Sequence, residues 1–227
     1  MRKLIKLGLA GGLAVTLASL TYVLAQGFGG FGASGLVRNP SVQKELKLTD
    51  EQVAKVAEVV KQVDAKHGEE FKAARDIADQ QQRREKFGEL QKTVSAEVLK
   101  DLTGVLQPDQ LKRLKQIELQ VRGTRAFQEA DVQKELNLTD DQKDKLKTIS
   151  EDAGKEMQEI RKSSQGNFQE AGKKIRAAQK EALEKAVAVL TPDQKKSWKE
   201  MTGEPFEIKF EPGQFGKGKG GKKKRDQ

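Results

Sequence analysis

The chain repeats itself. Val42-Gln-Lys-Glu-Leu-Lys-Leu-Thr-Asp-Glu-Gln52 returns as Val132-Gln-Lys-Glu-Leu-Asn-Leu-Thr-Asp-Asp-Gln142, with nine of eleven positions identical at an offset of 90. A second pair of marks, Leu106-Gln-Pro-Asp-Gln110 and Leu190-Thr-Pro-Asp-Gln194, lies at an offset of 84, so the first copy is six residues longer between its marks. Such self-similarity is an internal duplication of a unit of some 85–90 residues. It restricts the chain to folds that can be built twice from one small unit.

The marks explain themselves as helix starts. In Thr49-Asp-Glu-Gln52 the Thr hydroxyl can accept from the Gln52 backbone N–H while the Gln52 side chain reaches back to the Thr49 N–H, a capping box. Asp50 and Glu51 add negative charge at the positive end of the helix dipole. Thr139 to Gln142 repeats the arrangement, and Thr191 to Gln194 places Pro192 at the first helical position, where its missing N–H costs nothing. Pro108 has the same place before Gln110, but Gln107 stands where the others have Thr, which predicts a cap weaker by about 1 kcal/mol. Leu48 with Val53 and Leu106 with Leu111 have the spacing of hydrophobic staples, and Leu138 and Leu190 precede the other two caps.

Between caps the apolar residues keep helical spacing. Val53, Val56, Val60 and Val63 line the first long helix, and Leu146, Ile149, Ala153 and Ile160 line its repeat. Phe87, Leu90, Val94, Val98 and Leu102 mark the returning helix, matched by Ile175, Ala178, Ala182, Ala186 and Val189. The reversals fall in the polar stretch near Ile77–Arg84 and at Ser163–Asn167. The expected fold is all-α: helical unit 1 over 40–124 and helical unit 2 over 125–204, each a short helix, a hairpin of two long helices and a final helix, with the units packed as an internal pseudo-dimer.

The ends differ from the body. Residues 1–25 read as a signal peptide, with Arg2, Lys3 and Lys6 before an apolar stretch from Leu7 to Leu24 and a cleavage site at Val23-Leu24-Ala25; an uncleaved anchor is the competing reading. Either places the rest outside the cytoplasm, periplasmic or otherwise extracytoplasmic. Residues 26–39 read as a flexible Gly/Phe-rich linker. In 205–212, Phe206, Ile208 and Phe210 alternate with charged residues between two prolines, the pattern of an extended strap over the helices or a strand for a partner's sheet edge. Residues 213–227 form a basic Gly/Lys tail, disordered on composition. Of the formal net charge of +9, the two ends carry +3 and +5, so the body is almost neutral and lacks the basic face of a nucleic-acid reader.

The Leu-Thr-x-x-Gln marks at 48–52, 138–142 and 190–194 resemble the LTxxQ motif of the Spy/CpxP family of periplasmic proteins. The resemblance spans roughly 40–205. It implies an exported, ATP-independent chaperone or envelope-stress protein whose subunits pair into a thin, curved helical cradle. Family members carry one unit per chain, whereas this chain tethers two. The client surface has no motif to carry over.

No catalytic constellation is visible, and no enzyme or cofactor is expected. His67 is the only histidine and falls at the repeat position of Met157, on the seam of its helix, so a packed, hairpin-facing His is expected rather than a metal ligand. With one His, no Cys and scattered Met, the metal sensing known among relatives is disfavoured. Trp198 aligns with Leu114 and Met201 with Ile117, which marks them as packing residues. Adjacent acids such as Glu69 and Glu70, or Asp140 and Asp141, point to different helix faces and read as solvated charges or cap helpers. Partly unfolded exported proteins are the expected partners, held on an amphipathic helical surface. The alternative is a structural adaptor anchored to anionic lipid or wall polymer through Lys217, Lys219, Lys222, Lys223, Lys224 and Arg225. Further oligomerisation stays open, and no specific nucleic acid is expected.

Overall fold

The computed structural model describes residues 32–164 and 167–209. The leader, most of the Gly/Phe-rich stretch, Phe210 to Pro212 of the strap and the basic tail with Lys217 to Arg225 lie outside the described residues. The protein is all-α, with ten α-helices and two short 3₁₀ segments among those residues. They are α1 (Ala33–Val37), α2 (Pro40–Glu45), α3 (Asp50–Lys66), α4 (Gly68–Asp76), α5 (Gln80–Asp101), α6 (Pro108–Arg122), α7 (Ala130–Glu135), α8 (Asp140–Ser163), α9 (Phe168–Ala188) and α10 (Pro192–Thr202). Every expected cap position starts a helix: Thr49 before α3, Gln107 before α6, Thr139 before α8 and Thr191 before α10.

The long helices bury the predicted stripes. Val56, Val60 and Val63 of α3 meet Val94 and Val98 of α5 in one core with Leu102, while Leu146 and Ala153 of α8 face Ala178, Ala182 and Ala186 of α9. Where the first half has valines the second has alanines, so the α8–α9 seam is made of smaller side chains. Burial of these stripes, at about 25 cal/mol per Å² of apolar surface, stabilises helices whose outer faces are fully solvated. The helix opposite α5 is interrupted: α3 ends at His67 and α4 restarts at Gly68, where α8 runs unbroken past Met157.

Residues 26–39 are not a flexible linker throughout. Ala33, Leu36 and Val37 of α1 are buried in the first core, and the Ala33 N–H donates to Ser95 Oγ at 2.8 Å. Leu36 and Val37 supply the buried bulk, but the run Gly32-Ala-Ser-Gly35 before them has the composition of a linker. The 3₁₀ segment Gly123–Gln128 does the same service for the second half, where Ala126 and Phe127 are buried. The duplication therefore extends backwards: Gln43 Nε2 donates to the Val37 carbonyl at 3.0 Å and Gln133 Nε2 to the Phe127 carbonyl at 2.9 Å. Residues 33–41 and 123–131 share no identical position, yet they occupy equivalent places.

The halves meet along their final helices, α6 against α10. A helix end leaves its last carbonyls without partners, and α6 supplies them to α10. Gln116 Nε2 donates to the Glu200 carbonyl at 3.1 Å, and Gln120 Nε2 donates to those of Thr202 and Glu204 at 2.6 and 2.9 Å. Gly203 ends α10 with φ +63°, and a Cβ there would come within 2.4 Å of Gln116 Oε1. Gly154, inside α8, has open space. We expect Gly203→Ala to destabilise the protein by about 2–4 kcal/mol, through backbone strain plus loss of the Gln116 contact. Gly154→Ala should stabilise it by about 0.5–1 kcal/mol. Urea titration followed by circular dichroism separates the two signs.

Candidate functional site

Each half closes on a pair of glutamines. In the first, the Thr49 N–H donates to Gln52 Oε1 at 3.1 Å and the Gln52 N–H to Thr49 Oγ1 at 3.2 Å, completing the capping box. The same Gln52 side chain then reaches across the half. Its Nε2 donates to Gln110 Oε1 at 2.8 Å and to the Val105 carbonyl at 3.0 Å. Gln110 answers: its Nε2 donates to Gln52 Oε1 at 3.2 Å and to the Leu46 carbonyl at 3.0 Å, while its Oε1 accepts from the Gln107 N–H at 2.9 Å. Each amide thus accepts two hydrogen bonds and donates two, its full capacity. The early and late marks, far apart in sequence, form one reciprocal clasp.

The second half repeats it. Gln142 Nε2 donates to Gln194 Oε1 at 2.7 Å and to the Val189 carbonyl at 3.1 Å; Gln194 Nε2 returns to Gln142 Oε1 at 3.0 Å and to the Leu136 carbonyl at 3.0 Å. The N–H groups of Thr139 and Thr191 donate to the glutamine oxygens at 3.1 and 2.9 Å. The target carbonyls are the ones helix geometry leaves over. Lys47 and Asn137 turn left-handed, φ 52° and 48°, and end α2 and α7 in Schellman turns: Leu48 N–H to Gln43 carbonyl and Leu138 N–H to Gln133 carbonyl, both 3.0 Å. Those turns satisfy the earlier carbonyls and leave Leu46 and Leu136 for the glutamines.

The predicted motif residues are all found in this arrangement. Leu106, Leu138 and Leu190 are buried beneath the clasps and Leu48 is half-buried against the first core. Pro108 and Pro192 open α6 and α10. At Gln107 the bond that links the helix start to its mark is the Gln107 N–H to Gln110 Oε1. The cap reading missed the pairing itself. A signal for it was present: a capping box accepts Glu or Gln, yet all four marks end in Gln. Glu would supply the oxygens but no donors, and it would set two carboxylates face to face.

Trp198 is buried against Phe127, ring centroids 4.3 Å apart, and Met201 is half-buried beside them. His67 is 5% exposed; its Nε2 lies 2.7 Å from Glu97 Oε2 on α5 and its Nδ1 3.2 Å from Glu70 Oε1 on α4. Lys66 Nζ shares Glu97 at 2.5 Å. The Glu97 hydrogen bond holds the imidazole above its ordinary 6.5, against the opposing effect of burial, and His67 in turn holds the Glu97 carboxyl below its ordinary 4.5. Asp140 pairs with Lys143 at 2.8 Å on the surface. Among the described residues no group of three His, Cys, Asp or Glu is placed to hold a metal ion, and no helix is long and apolar enough to cross a membrane.

These features define the class: an all-α protein of two halves, each locked by a glutamine clasp. Compared with family models, curated proteins and solved structures, the chain yields no match.

Three outcomes follow from this geometry. Gln52→Glu keeps an acceptor for the Thr49 N–H but sets a carboxylate oxygen against the Val105 carbonyl. It should cost at least as much as Gln52→Ala, about 2–3 kcal/mol. The Gln52→Ala/Gln110→Ala pair should cost less than the sum of the singles by about 1–2 kcal/mol; equilibrium denaturation measures both. The raised imidazole stabilises the fold fully below its ordinary 6.5, and this contribution is lost as pH rises through the higher folded value. The lowered Glu97 contributes above its ordinary 4.5 and loses that as pH falls through the folded value, so both are complete between 4.5 and 6.5. Melting temperature should therefore fall for the wild type as pH rises above 6.5. In His67→Gln that slope should be reduced.

Proposed function

We propose that the protein is an exported, ATP-independent chaperone-like or envelope-stress protein that holds partly unfolded exported proteins on its helical faces. The observation that carries this is the pair of equivalent clasps. They consume every mark of the Leu-Thr-x-x-Gln type in holding the helix ends together, so the marks serve as framework, and the long helices between them present the working surface. That division of labour fits the resemblance to the Spy/CpxP family drawn from the motif.

In this proposal the halves are two hairpin units acting as an internal pseudo-dimer, joined where α6 meets α10. Their outer faces carry charge pairs one helical turn apart, such as Lys55 with Glu51 and Lys185 with Glu181, and these flank seams whose apolar side chains, including Val53, Ile149, Met157 and Ile160, are only half-buried. Such a face offers weak, short-range apolar contact inside a solvated charged field. That suits transient holding of a non-native chain better than tight recognition.

Chain 26–227, added without nucleotide to a chemically denatured, aggregation-prone client at stoichiometric ratio, should suppress light scattering in proportion to its concentration. Unaltered aggregation in the presence of helical, folded protein, checked by circular dichroism, would reject the proposal.

A further inference from the structure

The strap that follows α10 does not rest on its own half. Pro205–Lys209 has no regular secondary structure and crosses to the first half, where Ile208 is buried in the core formed by α1, α2, α3, α5 and α6, and Phe206 packs beside it. Glu207 and Lys209, the alternate positions, are exposed. This is the period-two pattern of an extended peptide with one face in a groove.

The way its backbone is held is more telling. Every hydrogen bond between this stretch and the first half joins a strap backbone group to a side chain of that half. The Phe206 N–H donates to Gln120 Oε1 at 2.9 Å, the Lys209 N–H donates to Ser41 Oγ at 3.0 Å, and Asn39 Nδ2 donates to the Lys209 carbonyl at 3.0 Å. Just upstream, the Glu204 carbonyl accepts from Arg113 Nη1 at 2.8 Å, and the Arg113 guanidinium lies 5.9 Å from the Phe206 ring centroid. Asn39 and Gln120 are each 5% exposed, and Ser41 is oriented by donating to Asn39 Oδ1 at 2.7 Å. Two buried amides and a half-buried hydroxyl thus read main chain, which every peptide has. Two apolar places read side chains two residues apart. Nothing in this set is specific to the strap beyond an apolar-x-apolar pattern.

We infer that this groove, bordered by Asn39, Ser41, Arg113 and Gln120, is a binding site for extended segments of other polypeptides with apolar residues at alternate positions, and that residues 205–209 occupy it in cis as a displaceable competitor. The inference deepens the proposed function and rests on it for the identity of the ligand: an unfolded chain exposes such segments, and a groove that reads backbone accepts many of them. Tethering gives the strap a high effective concentration. A free segment therefore binds only in the fraction of molecules whose strap has lifted, and its apparent affinity falls by that fraction.

The test uses chain 26–227 and a fluorescein-labelled Pro-Phe-Glu-Ile-Lys peptide, read by anisotropy. A Pro-Phe-Ile-Glu-Lys peptide, with its apolar residues adjacent, is the control. Weak binding of the first peptide to wild type should strengthen about tenfold or more in Phe206→Ala/Ile208→Ala, with the control peptide unaffected. A Gly/Ser insertion of about ten residues between Glu204 and Pro205 changes no groove residue and lowers the effective concentration of the strap. It should strengthen binding of the first peptide severalfold at unchanged helical content, a comparison that holds even if the alanine variant unfolds. Equal affinity in wild type and the insertion variant would overturn the inference. So would a doubled mass of the insertion variant without peptide binding, which would mean straps exchanging between copies. An insertion variant that binds peptide more tightly yet suppresses client aggregation no better than wild type would remove this groove from the proposed function while leaving that function standing. Peptide binding without any suppression would leave the groove standing and count against the chaperone role.

Discussion

The reciprocal glutamine pair is the constraint on which the rest of the structure depends. A helix start offers N–H groups without partners and a helix end offers carbonyls without partners. Each clasp brings two starts and two ends to one place and satisfies them with two side chains. Gln suits this position because it carries an acceptor long enough to reach its own cap and donors that extend past it. Glu keeps only the first half of that function. Once the clasps are closed, the directions in which α3, α6, α8 and α10 leave them are fixed, and the hydrophobic stripes need only pack.

The same frame supports two different interiors. The second half fills its core with Phe127 and Trp198, where the first half has Val37 and Leu114 at the corresponding places. The first half makes up the difference from elsewhere in the chain, with Ile208 and Phe206 arriving from the far end. It also breaks its long helix at His67, where buried contacts to Glu97 and Glu70 replace the plain packing of Met157. Duplication conserved the hydrogen-bonded frame and let the apolar filling diverge, as expected when the frame needs specific donors and acceptors while a core needs volume.

Much of the fold was legible in the sequence because its signals are local. Capping boxes act over three residues, stripes over three or four, and both announced α3, α5, α6, α8, α9 and α10 with their buried faces. The clasps were not legible as contacts, since Gln52 and Gln110 are 58 residues apart and Gln142 and Gln194 are 52; only the uniform choice of Gln over Glu hinted at them. Helix α1 escaped because four residues of its surroundings are Gly, Ala or Ser, whose composition is that of a linker until a core is there to receive it. The alternation of Phe206 and Ile208 with charged residues matches the alternation of their burial, but nothing local could say that the segment would cross to the other half. Export, which rests on residues 1–25, and the role of the basic tail remain sequence readings.

The clasp makes a claim about particular protons. If Gln52, Gln110, Gln142 and Gln194 each donate twice across their half, their side-chain Nε2 protons are shielded from water for as long as the helix starts stay paired. Hydrogen exchange of assigned glutamine side-chain amides, followed by NMR, reads this directly. The account predicts strongly slowed exchange of both protons in these four glutamines, as in buried Gln120, set apart from exposed glutamines such as Gln62 and Gln81. Exchange of all four at the rate of those exposed residues would contradict it, and would reduce the marks to four independent caps.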